Sequence, residues 1–272
     1  MKLNFTRALI LFAAVAFLYT SCKKAEVKPA AKQTVNYDVL SSRIAMSFMQ
    51  GITGKIGGTN ISDGIQTPKY LTSSIKGPRL FSVNPLCGYT VDTAYNYTQN
   101  GDTVKTFAGG FHFVYTCSTA NVDGYIVRDS VTNTESNKAF VNHYTLGQHY
   151  TVQALDNTYT YVSMDGGLST SVFDRLLNLA GATYEYHELD ATYTLIGVKV
   201  KVTNGVADVV TGKATFQMFK SDLDKTTAVD GSIWSMSGTI EFLGDHKAKL
   251  TINSNPPKSY MVDLITGVTT PL

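Results

Sequence analysis

The side chains able to do chemistry are few and scattered. Five histidines, His112, His143, His149, His187 and His246, are the natural metal ligands and general bases. Zinc needs three or four His, Cys or carboxylate ligands converging at about 2.0–2.3 Å. No His-Glu-x-x-His run is present. Within a strand, Glu185 and His187 share a face, and His143 and His149 share one if no turn parts them. Strand-surface histidines explain both pairs more simply than a metal site, so no metal and no other cofactor is expected. A Gly-x-Ser-x-Gly nucleophile elbow is absent. Glu135, Glu185, Glu188 and Glu241 offer carboxylates for a glycosidase pair, yet nothing in their spacing joins any two. The expectation is a protein that is not an enzyme.

Two loops resemble ligand motifs and fail on inspection. Gly54-Lys55 is not a phosphate loop, because Gly51 is too close and Ile56 stands where a hydroxyl belongs. Thr59-Asn60-Ile61-Ser62-Asp63-Gly64 lacks the alternating acids of a calcium loop and reads as a tight turn. Sixteen Tyr and thirteen Phe can build an aromatic platform for sugars. The same residues are ordinary strand fillers.

Cysteine is the remaining reactive type, and Cys22 has the most specific surroundings. Lys2 and Arg7 open the chain, and residues 9–19 form an uncharged apolar run. That run is shorter than the roughly 20 residues a bilayer span needs and suits a signal h-region. Phe17-Leu18-Tyr19-Thr20-Ser21-Cys22 resembles a bacterial lipobox, with Tyr19 where Leu is usual. In that motif the thiol takes a diacylglycerol and the new amine is acylated. The Ser-Cys-Lys-Lys junction is similar to those of Bacteroidota lipoproteins. The resemblance implies a signal peptide over 1–21, a flexible tether over 22–36 and one β-rich domain over 37–272. It implies a partner, the membrane, reached through the lipid. Lys23 in place of Asp points to the outer membrane, and the absence of an acidic stretch after Cys22 to its periplasmic face. Asp92-Thr93-Ala94, Asp102-Thr103-Val104 and Asp129-Ser130-Val131 resemble the O-glycosylation sequon of these bacteria.

Cys87 and Cys117 remain, and an oxidising compartment lets them pair. They flank Asn100-Gly101, a strong hairpin signal. A two-residue turn there would set Cys87 opposite Val114, three residues short of Cys117. The expected Cys87–Cys117 disulfide therefore requires a longer loop or bulges, one of them at Gly109-Gly110.

The elements that must position these groups are mostly strands. Cleavage before Cys22 leaves 251 of 272 residues, and losing Lys2 and Arg7 leaves 21 basic against 21 acidic residues. That neutrality speaks against a nucleic-acid partner. Leu40, Ile44 and Phe48 make one apolar stripe, which predicts a helix over 38–50 capped by Asn36 or Asp38 and ended by Gly51. Residues 51–85 read as an irregular connector. From Cys87 onward, alternation predicts strands in both arms of the Asn100-Gly101 hairpin and over 125–131, 139–146, 150–155 and 158–163. Ser171-Val172-Phe173-Asp174 resembles a capping box, predicting a short helix over 171–179. The last third alternates most cleanly. Ile196, Val198, Val200 and Val202, then Ala214, Phe216 and Met218, then Trp234, Met236, Ile240 and Phe242, then Ala248, Leu250 and Ile252, then Tyr260, Val262 and Leu264 share a buried face.

The whole resembles β-rich Bacteroidota lipoproteins in its junction, in an early helix ending at Gly54-Lys55-Ile56-Gly57-Gly58, and in its terminal meander. That resemblance implies envelope location. The expected fold is one antiparallel meander sheet of about ten to twelve strands, strongly curved or a partial barrel. An N-terminal helix packs on the concave face, and a two-sheet sandwich is the alternative. The expected function is binding of an apolar or amphipathic, lipid-like ligand under the sheet. The alternative is a structural or assembly lipoprotein docking another envelope protein or a glycan. A lined, continuous cavity would mark the first; a filled core with an exposed apolar patch would mark the second. Cys22→Ala is expected to move the protein from the membrane fraction to the soluble fraction, since no other sequence segment reaches spanning length. Fractionation and immunoblotting check this, and full membrane retention of the variant would overturn it.

Overall fold

The structure, a computed structural model, describes residues 35–65, 87–118, 122–177, 183–224 and 229–272. The predicted signal peptide, the tether up to residue 34 and residues 66–86 of the connector lie outside the described residues.

Helix α1 (Tyr37–Ile52) begins where Asn36 accepts a hydrogen bond from the Val39 N–H, at 3.2 Å. It runs one residue past Gly51, and the Thr53 N–H and hydroxyl both donate to the Met49 carbonyl. Eleven strands follow: β1 (Thr90–Gln99), β2 (Val104–Thr116), β3 (Gly124–Ser136), β4 (Phe140–Ala154), β5 (Tyr161–Leu177) and β6 (Thr183–Thr203). Then come β7 (Val206–Asp224), β8 (Val229–Gly244), β9 (Lys247–Ile252), β10 (Lys258–Asp263) and β11 (Thr269–Pro271). They form one sheet in strict sequence order, every neighbour antiparallel and none crossing over. The sheet does not close into a barrel.

The sheet nevertheless curls. The first turn of α1 lies by β11, where Thr269 donates to the Asp38 carbonyl. The middle of the helix lies over β6 and β8, where the Phe48 ring meets Tyr193 at 5.4 Å and Phe242 at 5.2 Å. Its last turn sits on β4 and β5, with Leu146 and Leu168 under Gly51. From β4 to β11 a flat sheet would span about 33 Å at about 4.8 Å per strand, but sixteen helical residues reach only about 24 Å. The concave face therefore wraps the helix. Leu40, Ile44, Phe48 and Ile52 are buried into it. Seated at Gly51, a Cβ would stand 2.9 Å from the Leu168 methyl, so glycine sets the helix-to-sheet distance.

Several expectations need correction. Residues 171–177 are not helical but the end of β5, paired with β4 and β6 throughout; residues 178–179 lie outside the described residues. The local capping pattern loses to two flanking ladders. Phe173 packs its ring against Tyr186 at 5.9 Å, as a strand residue does. The segments 139–146 and 150–155 are one strand, β4, because Gly147 pairs with Ser130 and Ser169 instead of turning the chain. Gly109-Gly110 is not a bulge: the β1–β2 ladder runs through it without a shift. Its role is space, since the rings of Phe107 and Phe111 lie 6.5 Å apart over the missing side chain of Gly109. Among several unforeseen register shifts, two fall between Ile196 and Val200. They turn Ile196 out to solvent while Val198 and Val200 stay buried.

The disulfide is where the loop length decides. Gln99 pairs with Lys105, so the hairpin loop holds five residues rather than two. The same register carried back sets Cys87 directly opposite Cys117, with Cα atoms 5.8 Å apart and the sulfurs joined.

The buried face can be tested one residue apart. Leu250 is fully buried and Lys249 exposed, opposite Glu241 on the outer face. Leu250→Lys is expected to cost at least about 3 kcal/mol, since it buries an unpaired charge. Lys249→Leu is expected within about 0.5 kcal/mol of the parent. Urea denaturation of both variants checks this; equal shifts would mean the face is misassigned.

Candidate functional site

The concave face divides into a covered half and an open half. After α1 the chain folds back over β2–β4 and is held there by buried polar bonds. The Gln148 side-chain amide donates to the carbonyls of Gly51 and Thr59, both at 2.8 Å, and accepts from the Thr59 N–H at 2.7 Å. The Asp129 carboxylate accepts from the Thr59 N–H at 2.9 Å and from its hydroxyl at 2.7 Å. Asp129 and Gln148 are neighbours across β3 and β4. They hold the loop's backbone groups where water cannot reach. The Asp129-Ser130-Val131 sequon thus spends its carboxylate in the core. Gly58 (φ +79°) belongs to this clamp: a Cβ there would lie 2.4 Å from the Gln148 oxygen.

Beyond the helix, toward the far ends of the strands, the same face is covered by none of the described residues. Strand register places two rows side by side there. One row runs Tyr97, Phe107, Asn133, Tyr144, Val172, Leu189, Lys220, Trp234 from β1 to β8. The next runs Gln99, Lys105, Glu135, Asn142, Asp174, His187, Asp222. Arg43, Ser47 and Gln50, at helical spacing, form the opposite wall. Three cavities lie between. One of about 410 Å³ sits between Gln50, Lys55 and the rings of Tyr97 and Phe107. One of about 250 Å³ sits between Arg43, Tyr144 and Asp174. One of about 150 Å³ sits at Lys220 and Trp234. The first two share Gln50 and Tyr144, and the last two share Arg43 and His187. With these shared residues they line one trench along α1 that crosses eight strands.

Its charges are tied to one another. Each ring nitrogen of His187 faces a carboxylate: Nε2 that of Glu185 at 2.9 Å, Nδ1 that of Asp222 at 3.0 Å. Lys220 donates to Asp222 and lies 5.2 Å above the centre of the Trp234 ring. Lys105 pairs with Glu135 at 2.7 Å. Asp174 differs. Among the described residues its carboxylate has no hydrogen-bond donor, and burial pushes its pKa up against the pull of His187 and Arg43. The Tyr144 hydroxyl is pushed up as well, by burial and then by Asp174 and Glu135.

The sequence-marked residues therefore divide. Glu185 and His187 do share a face and do meet. Glu135 is in the trench, and Glu188 lines the wall of its middle section. Glu241 is on the outer face opposite Lys213 and Lys249. His143 and His149 lie on one face of β4 but six residues, about 20 Å, apart. His143 lies between the hydroxyls of Thr134 and Thr145, at 3.0 and 3.2 Å. His112 pairs with Asp92, and His246 lies 3.5 Å from Asp208. Among the described residues no group of His, Cys, Asp and Glu is arranged to hold a metal ion. Arg43, Gln50, Tyr144 and Lys220 escaped the sequence reading, and Asp174 and Trp234 were not read as parts of a site. Their signal was polar and aromatic residues at inward positions, visible only once the register was known. Searches against family models, curated proteins and solved structures return no match for this chain.

The raised Asp174 pKa has a definite sign. The folded protein holds this proton more tightly than the unfolded chain, whose value is near 3.8. Asp174 thus costs no stability below that value, and its cost grows as pH rises through the folded pKa. Asp174→Asn is expected to raise the melting temperature at neutral pH and to leave it unchanged near pH 3. A melting-temperature series across pH checks this; a loss of stability at neutral pH would contradict it.

Proposed function

We propose that this chain is a lipid-anchored envelope protein that binds an elongated, amphipathic ligand along the trench beside α1. Cys22 carries the lipid, in the outer membrane and on its periplasmic face. The observation that carries the binding reading is the continuity of the three cavities across eight strands. Rings and hydrogen-bonding groups alternate along their floor.

The ligand's place differs from the one the sequence led us to expect. Among the described residues, Ile44, Phe48 and Ile52 fill the middle of the concave face. The ligand instead lies on the flank of the helix, open to solvent along its length. Binding needs no unfolding of the core, and the trench walls are already in position. The chemistry present supports holding rather than turnover. Among the described residues, both ring nitrogens of His187 in the trench face carboxylates.

Native mass spectrometry of the C22A protein recovered from its own host's envelope extract tests this. The expected result is a bound small molecule or chain, absent from a Tyr144→Ala/Gln50→Ala double variant that melts like the parent. A protein that comes away bare, and takes up nothing from a total envelope extract, overturns the reading.

A further inference from the structure

The geometry points to a neutral oligosaccharide chain as the trench ligand, an inference that rests on the trench being the binding site. Four features of the trench converge on this class.

The first is the supply of unsatisfied polar groups. Among the described residues, the side chains of Gln50, Asn142 and Asp174 make no hydrogen bond, although all three are half-buried. A carboxylate accepts only, while a side-chain amide both donates and accepts. Sugar hydroxyls do both from adjacent carbons, so such a set fits them. An acyl chain would leave these groups dry and unpaired, at a cost for each.

The second is the rings. Tyr97 is 59% exposed and stacked on Phe107 at 5.4 Å. Tyr144 and Trp234 follow along the same row. Their faces offer apolar surface at intervals, which suits the apolar faces of sugar rings. An acyl chain needs a continuous dry channel to gain its roughly 0.8 kcal/mol per CH₂, and the core offers none.

The third is charge. Cations and carboxylates are mixed along the floor, and several are paired with each other, as at Lys105–Glu135 and Lys220–Asp222. No uniform field remains to hold a polyanion or a polycation.

The fourth is direction. The trench runs across the strands, so its floor offers side chains and no row of free backbone groups. An extended peptide binds by adding to a strand edge, and among the described residues the trench meets an edge strand, β1, only at one end and crosswise. A chain of sugars needs none.

Trp234 is the only tryptophan in the sequence and forms one end of the floor, so its emission reports occupancy. The C22A protein is titrated with neutral hexasaccharides of glucose, mannose and N-acetylglucosamine. Monomeric lysophosphatidylcholine, a hexameric uronic acid chain and an uncharged extended peptide run in parallel. At least one neutral hexasaccharide is expected to change the emission saturably. The matching disaccharide is expected to bind at least tenfold more weakly, because it spans only part of the trench. Gln50→Ala, on the helix flank, is expected to weaken the hexasaccharide about fivefold, the loss of one neutral hydrogen bond. Saturable binding of the lysolipid, the acidic chain or the peptide alone overturns the glycan assignment and leaves the trench reading standing. Silence from every probe, with a bare protein by native mass spectrometry, overturns both.

Discussion

The constraint on which this structure depends is cover. An eleven-stranded sheet presents a concave apolar face that water must not reach, and among the described residues one sixteen-residue helix and the loop after it close it. The helix supplies Leu40, Ile44, Phe48 and Ile52. The loop supplies Ile56 and Ile61, pinned by the clamp of Thr59 on Asp129 and Gln148. Tyr193 secures the middle, its buried hydroxyl donating to the Ile44 carbonyl at 2.8 Å. That bond lets a phenol lie in the core without an unpaired oxygen. Shape follows from the same need. The sheet curls because its cover is shorter than its width, and it stays open because the helix occupies the space that closure would claim.

Strand content was legible in the sequence wherever alternation was unbroken. Ala248, Leu250 and Ile252 were assignable to the buried face residue by residue, since a slip would bury Lys247 and Lys249. Errors came where local chemistry and long-range pairing disagree. Ser171 to Asp174 satisfies a helix-start pattern, yet β4 on one side and β6 on the other offer a full ladder to the same backbone. Gly147 reads as a turn and is a paired strand residue. Ile196 reads as a core residue and is 51% exposed, because a bulge shifts the period by one. The disulfide shows the reverse case. Its two cysteines were legible, but its geometry waited on a loop of five residues that Asn100-Gly101 does not announce.

The trench was the least legible part, for a physical reason. Its floor is assembled from one or two residues of each of eight strands, so no short stretch of sequence carries it. Glu185 and His187 stood out as neighbours on one strand. Asp174, Lys220, Asp222 and Trp234 join them only through the register of β5 to β8. A reader of sequence sees inward positions that turn polar toward the strand ends. That signal is shared with any strand that leaves the core.

What separates the trench from an ordinary fraying sheet edge is how its polar groups are kept. A strand end that simply leaves the core lets each polar side chain turn to water. Here Asp222 is only 12% exposed and engaged by Lys220 and by the His187 ring, while His187 is fixed from both sides. Asp174 between them and Tyr144 is held with its charge disfavoured. Keeping a carboxyl in such a place costs stability, and a sheet selected for stability alone would carry Asn or Thr there. A bound ligand that completed its hydrogen bonds would offset that cost. The paired charges around Asp174 serve that end: they fix the walls, so that a ligand meets groups already oriented and the entropy of ordering them is not charged to binding. Fixed walls around one carboxyl that lacks a hydrogen-bond donor among the described residues are the feature on which the proposed binding of a hydroxyl-bearing chain rests.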